Sequence, residues 1–358
     1  MQGIKVLQIM AGAQHGGAET FFMDLVTALH RRGIDQIVIT RDYPERTKKL
    51  KTKGIPHSFC SFRKFFDIRT GNQIQKIIKD FKPDIVQTWM GRASSFVTAA
   101  PHTRSWSHIG WFGGYYDVKR FSKCDVYIGV THDITRFIQN QGVDEEKCRT
   151  IHTFAGIDHG SPPLPRKDFD TPDDKTLFCA LARLHQKKGL DTLLHAFRDV
   201  PDSYLWIAGE GEDRNKLENL AGEIGLKNRV RFLGWQDNRA AVLNASDICV
   251  FPSRYEPFGT VMVEAWATGT PLIAARAAGP KAYIEDEVNG LLVDIDAHRE
   301  LAGAMNRLKS DRALQAGIVD GGKKTFIKTF TEDAVVQNYL DLYSELTLHH
   351  SQKASAQA

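Results

Sequence analysis

The sequence predicts an α/β protein made of two Rossmann-like domains in tandem, and three observations predict it. The chain has 358 residues, more than one hydrophobic core usually supports, so two cores are expected. Short apolar runs alternate with helix-length polar segments in both halves, the pattern of parallel strands joined by crossover helices. Near the middle, Ser161-Pro-Pro-Leu-Pro165 breaks that alternation and has neither strand nor helix period.

Taken in order, the opening reads as a buried strand over Lys5–Met10, a glycine-rich loop at 11–17, a helix from Ala18 to Arg31 stopped at Gly33, and a strand over Gln36–Thr40. Further strands are expected at Ile85–Thr88, at Val126–Val130 and around Arg149–Thr153. The proline stretch and the charged segment Arg166–Lys175 form the expected linker. Alternation then restarts, with strands at Thr176–Ala182, Tyr204–Ala208, Val230–Leu233, Ile248–Phe251 and Pro271–Ala274. Helices are expected near Gly189–Arg198, over Asp213–Ile224 and over Gly259–Thr268. The resulting division is a first domain at 1–165, a second at 166–330, a helix over 331–348 and a disordered tail at 349–358. In open α/β sheets ligands bind beyond the carboxyl ends of the strands, so the loops after Met10, Ala182, Ala208 and Phe251 are where chemistry is sought.

Composition narrows the class. With 42% hydrophobic and 25% charged residues, the chain is an ordinary globular protein and not a low-complexity or collagenous one. No run approaches the ~18 apolar residues of a membrane span, and Met1–Met10 lacks the charged and apolar regions of a signal peptide, so a cytoplasmic location is expected. Five scattered cysteines without a CxxC pair suit reduced, packed thiols better than disulfides or zinc. Charge is uneven: residues 1–165 carry 23 Lys and Arg against 15 Asp and Glu, and the remainder 24 against 28. Much of the excess lies between Arg41 and Lys76, where Lys48, Lys49, Lys51, Lys53, Arg63 and Lys64 lead into Phe65-Phe66. That mixture suits either an anionic membrane surface or acidic acceptor, or a solvated helix face with two core phenylalanines. Nothing points to nucleic acid.

Three segments carry chemistry. Glu256 and Glu264 stand eight residues apart and flank a helix start, with Pro257-Phe258-Gly259-Thr260 between them. Glycine at 259 lets the backbone approach a ligand, and free N–H groups at the helix N-terminus suit hydroxyls or phosphates. Glu256 can accept hydrogen bonds from sugar hydroxyls and Glu264 can bind a ribose diol, although such spacing also arises on a solvated helix. The apolar neighbours of Glu264 favour the functional reading, because buried carboxylates need partners. Arg183 and Lys188, in the segment after the strand at Thr176, combine a planar fork with a mobile point charge, which suits a departing diphosphate; basic surface loops are also common. In the first half, Gly16 and Gly17, within His15-Gly-Gly-Ala-Glu19, permit a tight turn that presents amides to a ligand, or serve merely as a flexible turn. Gly209-Glu-Gly211 lacks the third glycine of a dinucleotide fingerprint, which argues against a tandem-Rossmann dehydrogenase.

At these residues the chain resembles glycosyltransferase family 4, the retaining enzymes of GT-B architecture, over most of residues 3–345. The family's E-x7-E motif reads here as Glu256 to Glu264, its glycine-rich first loop as Gly16-Gly-Ala-Glu19, and its basic phosphate motif as Arg183 with Lys188-Gly189. Ala245-Ser-Asp247, Phe251-Pro-Ser253, Thr268-Gly-Thr-Pro271, Gly279 and Asn289-Gly-Leu-Leu-Val293 look like the family's flanking runs. The resemblance implies two domains facing each other across a cleft and a last helix crossing back to the first. The donor, a nucleotide sugar with uridine as the family-level expectation, would be held mostly by the second domain. Arg183 and Lys188 would contact its diphosphate, Glu264 its ribose and Glu256 its sugar. Phe258, Gly259, Thr260, Gly16 and Gly17 would complete the donor site. The acceptor, a glycan or lipid-linked glycan of the cell envelope such as lipopolysaccharide, would enter from the first domain, with the protein at the inner face of the membrane. Neither metal nor cofactor is expected, and Asp294-Ile-Asp296 is read as a surface pair that only imitates the metal motif of an unrelated fold.

The chain departs from the family in one place. Where family members often carry a histidine before the linker, this sequence reads Gly113-Gly114, with His108 nearby. Retention does not demand a protein nucleophile, because the donor phosphate can act as base on the same face. A competing reading is a non-catalytic relative that binds a nucleotide sugar or a partner transferase; the presence of both glutamates and both basic residues speaks against it.

Overall fold

The computed structural model describes residues 3–63, 67–154, 158 and 160–357; the side chains of 102 and of 349–357 lie outside the described residues, as do Lys64, Phe65 and Phe66 of the basic segment. The chain divides into two compact units, Met1–Phe154 with Glu332–Ala358, and Ala155–Thr331.

In the first unit, the order is β1 Lys5–Met10, α1 Gly17–Arg31, β2 Asp35–Thr40, α2 Pro44–Thr52, β3 His57–Phe59, α3 Ile68–Phe81, β4 Ile85–Trp89, α4 Met90–Ser94, β5 Ser107–Phe112, β6 Val126–Gly129, α5 His132–Asn140 and β7 Cys148–Thr150. The strands form a seven-stranded parallel sheet in the order β3-β2-β1-β4-β5-β6-β7. Central strands such as β1 and β4 are buried almost throughout, as expected where helices cover both faces of a parallel sheet. Sequence periodicity misses β3, a three-residue edge strand, and β5, whose fully buried run is interrupted by His108 and Gly110.

The second unit follows as β8 Thr176–Leu181, α6 Leu190–Phe197, β9 Ser203–Ala208, α7 Arg214–Glu223, β10 Val230–Gly234, α8 Arg239–Ala245, β11 Ile248–Phe251, α9 Thr260–Thr268, β12 Leu272–Ala275, α10 Ala278–Tyr283, β13 Leu291–Val293, α11 His298–Ser310 and α12 Arg312–Thr329. Its parallel sheet runs β10-β9-β8-β11-β12-β13. Connections leave β8 toward β9 on one side, while β11 begins the other half, so the order reverses between β8 and β11. At such a reversal the loops beyond the strand ends splay apart and leave room for a ligand.

Two boundaries differ from the sequence expectation. The second unit begins at Ala155, and the proline stretch is part of it and not a free linker. Leu164 donates its amide to the Ala241 carbonyl, Asn244 donates to the Ser161 carbonyl at 2.7 Å, and Arg166 pairs with Asp247 at 3.0 Å. Proline removed the periodicity, but the neighbouring backbone and Arg166 still found partners on and beside α8. At the other end, the last helix, α13, runs Glu332–Gln357, so the expected disordered tail has helical backbone through Gln357.

The helix α13 belongs to the first unit, and a buried polar chain fixes it there. Tyr343 donates its hydroxyl to Gln87 Oε1 at 2.6 Å and accepts from Gln8 Nε2 at 3.4 Å, while Trp89 Nε1 donates to Gln8 Oε1 at 2.9 Å. All four side chains are fully buried, so each lost bond would leave a polar atom without water to replace it. Arg149 adds an ion pair to Glu345 at 2.8 Å.

Candidate functional site

The switch point of the second unit gathers most of the predicted residues. Beyond β8 the chain turns through Arg183 and the short 3-10 turn Gln186–Lys188, then enters α6 at Gly189, whose φ is 63°. A Cβ at 189 would lie 2.1 Å from the carbonyl oxygen of Pro252, so only glycine lets this loop approach the one after β11. Beyond β11 the segment Pro252–Gly259 leads into α9, entered at Gly259 with φ 95°.

The two loops are laced together. Arg254 and Tyr255 both donate their amides to the Lys187 carbonyl. Lys188 Nζ donates to Glu256 Oε2 at 2.5 Å, in a pair with both side chains largely covered. Arg254 forms a fork on Asp191, two N–H···O bonds of 2.8 Å each, and also donates to the Gln186 carbonyl at 2.7 Å and to Asp296 at 2.6 Å. Burial alone would raise the Asp191 carboxyl; the hydrogen bonds and charge of Arg254 win and hold it below its ordinary range. The amide of Gly279 donates to the Glu256 carbonyl at 2.8 Å, tying the loop to α10. Lys188 and Glu256 are thus held at fixed positions by neighbours that need no ligand.

Arg183 lies on the same loop but is exposed, and no hydrogen bond or ion pair occupies its guanidinium among the described residues. Its five donors are available to an anion. Phe258 is turned the other way: its ring is buried against Tyr283 and Phe330, with centroids 5.8 Å from each. Only its backbone can meet a ligand, beside the half-buried Thr260 in the first turn of α9.

Glu264 is fully buried on α9. Arg239 of α8 lies 2.7 Å from its Oε1, yet neither carboxylate oxygen has a hydrogen-bond partner among the described residues: the guanidinium is near in distance and out of hydrogen-bonding alignment. Burial raises the carboxyl above its ordinary range, and the Arg239 charge partly offsets this. A covered carboxylate with spare acceptors is what a vicinal diol, two O–H donors side by side, would satisfy.

In the first unit, Gly16 and Gly17 sit where β1 turns into α1. The Glu19 carboxylate folds back into this turn and accepts from the Ala13 amide at 2.8 Å. Buried Arg46 donates to the Ala13 carbonyl at 2.6 Å and to Thr40 at 2.9 Å. The turn is therefore braced from both sides. His108 is buried on β5 between Thr88, 2.9 Å from Nε2, and the Lys123 carbonyl, 3.1 Å from Nδ1. Burial and then the nearby Arg104 push its pKa down to about 3, so it is a neutral packed histidine. Asp294 and Asp296 point to different arginines, Arg276 at 3.4 Å and Arg254 at 2.6 Å, and Asp296 also accepts from Thr192 at 2.7 Å. The five cysteines are buried and unbridged.

Sequence reasoning missed Arg239 and Arg254. Arg254 stood just outside the motif, two residues before Glu256, and only the fold shows that it faces Asp191. Arg239 lies 25 residues before Glu264, and no spacing rule links neighbouring helices on a sheet.

A family model described as "Glycosyl transferases group 1" matches residues 164–325, and one described as "Glycosyltransferase Family 4" matches residues 15–159. The lipopolysaccharide core biosynthesis glycosyltransferase LpsD of Rhizobium meliloti is 34% identical over 350 residues, which cover 95% of this chain and 98% of LpsD. A glycosyltransferase structure from Rickettsia africae superposes with a TM-score of 0.86 at 20% identity, covering 97% of this chain and 99% of that one. The structure of Anabaena HepE in complex with UDP gives 0.83 at 19% identity, covering 96% and 100%; HepE has also been solved with UDP-glucose. At these identities the two structures speak for the fold, GT-B, and for nothing finer.

Proposed function

The chain belongs to glycosyltransferase family 4, and from that premise we propose that it moves a hexose-type sugar from a uridine nucleotide sugar to a glycan or lipid-linked acceptor. The transfer retains the anomeric configuration and uses no metal, and the acceptor belongs to lipopolysaccharide core assembly, as the name of LpsD suggests. One observation carries the reading: paired Lys188 and Glu256, exposed Arg183, and buried Glu264 with two unsatisfied oxygens all sit at the sheet's switch point.

The residues divide the donor between them. Glu264 takes the ribose diol. Arg183 and Lys188 take the diphosphate, with Lys188 exchanging part of its contact with Glu256 for a phosphate oxygen. Glu256 then accepts from hydroxyls of the sugar, and the backbone at Phe258, Gly259 and Thr260 lines its path. The bond between the anomeric carbon and the phosphate oxygen breaks as the acceptor hydroxyl adds on the same face, and its proton passes to the departing diphosphate. Two cations stabilise the charge that grows on that leaving group, which is where electrostatic catalysis acts most strongly. Metal independence is supported by Asp294 and Asp296, which are committed to two different arginines. Gly16 and Gly17 are assigned to the donor on the family pattern alone, and replacing Gly17 with alanine tests that part.

For the setting, no helix is long and apolar enough to cross a membrane among the described residues. The lysines Lys48, Lys49, Lys51 and Lys53 are exposed around α2, and Ile68 at the start of α3 is 70% exposed. A cytoplasmic enzyme working against an anionic inner membrane face is the reading these residues support. The test is transfer from a panel of nucleotide sugars to lipopolysaccharide core fragments, with a chelator arm and NMR of the new linkage. An inverted anomer, abolition by chelator, or turnover unchanged in both Glu256→Gln and Arg183→Ala would overturn the corresponding part.

A further inference from the structure

Resting on the assignment of Glu264 to the ribose, we infer that Arg239 is a positioning residue for donor binding: its charge attracts the Glu264 carboxylate and favours the ionised form before a nucleoside diphosphate arrives, while leaving both oxygens to the diol. Arg239 opens α8 and packs beside α9, with its guanidinium 2.7 Å from Glu264 Oε1 and about a third of its side chain exposed. The pair is thus asymmetric, a covered carboxylate against a partly hydrated guanidinium. Hydration lets the arginine stay in place without a hydrogen bond to the carboxylate, and both oxygens remain unfilled. A fully aligned fork would have taken about two of the carboxylate's roughly four acceptor sites and left fewer for the diol.

The groups that face Glu264 are few. From α8 there is Arg239; from β11 there is the Cys249 thiol, which its contact with Cys179 of β8 and then burial push well above its ordinary range, so it stays neutral beside the carboxylate. Among the described residues Arg239 is the one cation acting on this carboxylate. Without it, burial acts unopposed and the Glu264 carboxyl is pushed further up, toward its neutral form. A protonated carboxyl keeps one acceptor fewer and loses the charge that makes hydroxyl bonds strong.

The test compares a nucleoside diphosphate with its 2′,3′-dideoxy analogue, using whichever of UDP, GDP and ADP binds the full-length protein tightest by calorimetry. The ratio of the two dissociation constants isolates the diol, because titration of the diphosphate and base is common to both ligands. In the wild type the ratio should be roughly tenfold or more at about pH 7.5. Arg239→Gln should lower it by about fivefold or more, with recovery toward the wild-type ratio as pH rises, because loss of the guanidinium favours the neutral carboxyl. Arg239→Lys, which keeps the charge, should retain most of the ratio and guards against a mere folding defect. Glu264→Gln, which keeps one neutral acceptor, should lower the ratio by about tenfold or to its floor, independently of pH. If Glu264→Gln lowers it and Arg239→Gln leaves it unchanged, the ribose assignment stands and the role of Arg239 is overturned. If the wild type shows no discrimination, or binds none of the three, both fall together.

Discussion

Replacing Glu264 with glutamine separates a binding role from a structural one, because the two make opposite demands on stability and affinity. The side chain is fully buried with both oxygens unsatisfied, and its one ionic neighbour, Arg239, is a third exposed. Removing one member of a fully buried ion pair costs about 3–5 kcal/mol, chiefly because the other charge is stranded. Here the stranded arginine can hydrate, and the desolvated carboxylate is replaced by a neutral isostere, so the stability change should stay within about 1 kcal/mol. Donor binding should suffer more. Each hydrogen bond to a charged group contributes about 1.5–3 kcal/mol, and glutamine keeps one neutral acceptor, so losing the equivalent of one such bond lowers kcat/KM by about 10- to 150-fold. The ribose is remote from the reacting carbon, so most of the loss should appear in KM. Urea melts give the first quantity and donor-saturation kinetics the second. A variant that loses 3 kcal/mol or more of stability while binding donor normally would refute the reasoning and make Glu264 a fold residue.

Lys188→Ala should lower kcat/KM by about 100- to 1000-fold, as loss of a charge stabiliser at a leaving group does, and steady-state kinetics at saturating acceptor would show it; a change under tenfold would remove Lys188 from the diphosphate. Tyr343→Phe should destabilise the first unit by about 1–3 kcal/mol, since it strands the buried Gln87 and Gln8, which chemical denaturation can measure without any assay of transfer. His108 should make folding acid-sensitive. Its folded pKa of about 3 lies below the ordinary histidine value, so the unfolded chain binds the extra proton between roughly pH 6.5 and 3, and stability falls by about 1.4 kcal/mol per pH unit on acidification through that window. The difference between wild type and His108→Gln in urea melts at pH 7.5 and 5.5 isolates this group; parallel profiles would sink the assignment.

Much of this protein was decided by sequence alone, and the reason is local. Alternating apolar runs and polar segments specify strands and helices because burial follows periodicity, so the central strands β1, β4, β8 and β11 appeared close to where the structure has them. Glu256, Glu264, Arg183 and Lys188 could be named as candidates because loops after strands at a switch point are a general place for ligands, and the motif spacing is contained within single segments. The short edge strand β3 and the interrupted β5 escaped because pairing with a neighbour, and not their own pattern, makes them strands. Tertiary structure alone decided the rest. It turned Phe258 into an aromatic core residue, made His108 a neutral packed side chain, committed Asp296 to Arg254 and Thr192, and absorbed the proline stretch into the second unit. It also brought Arg239 from another helix to Glu264. Each of these depends on which distant group occupies the adjacent space, and electrostatic and hydrogen-bond energies act through that space irrespective of the distance along the chain.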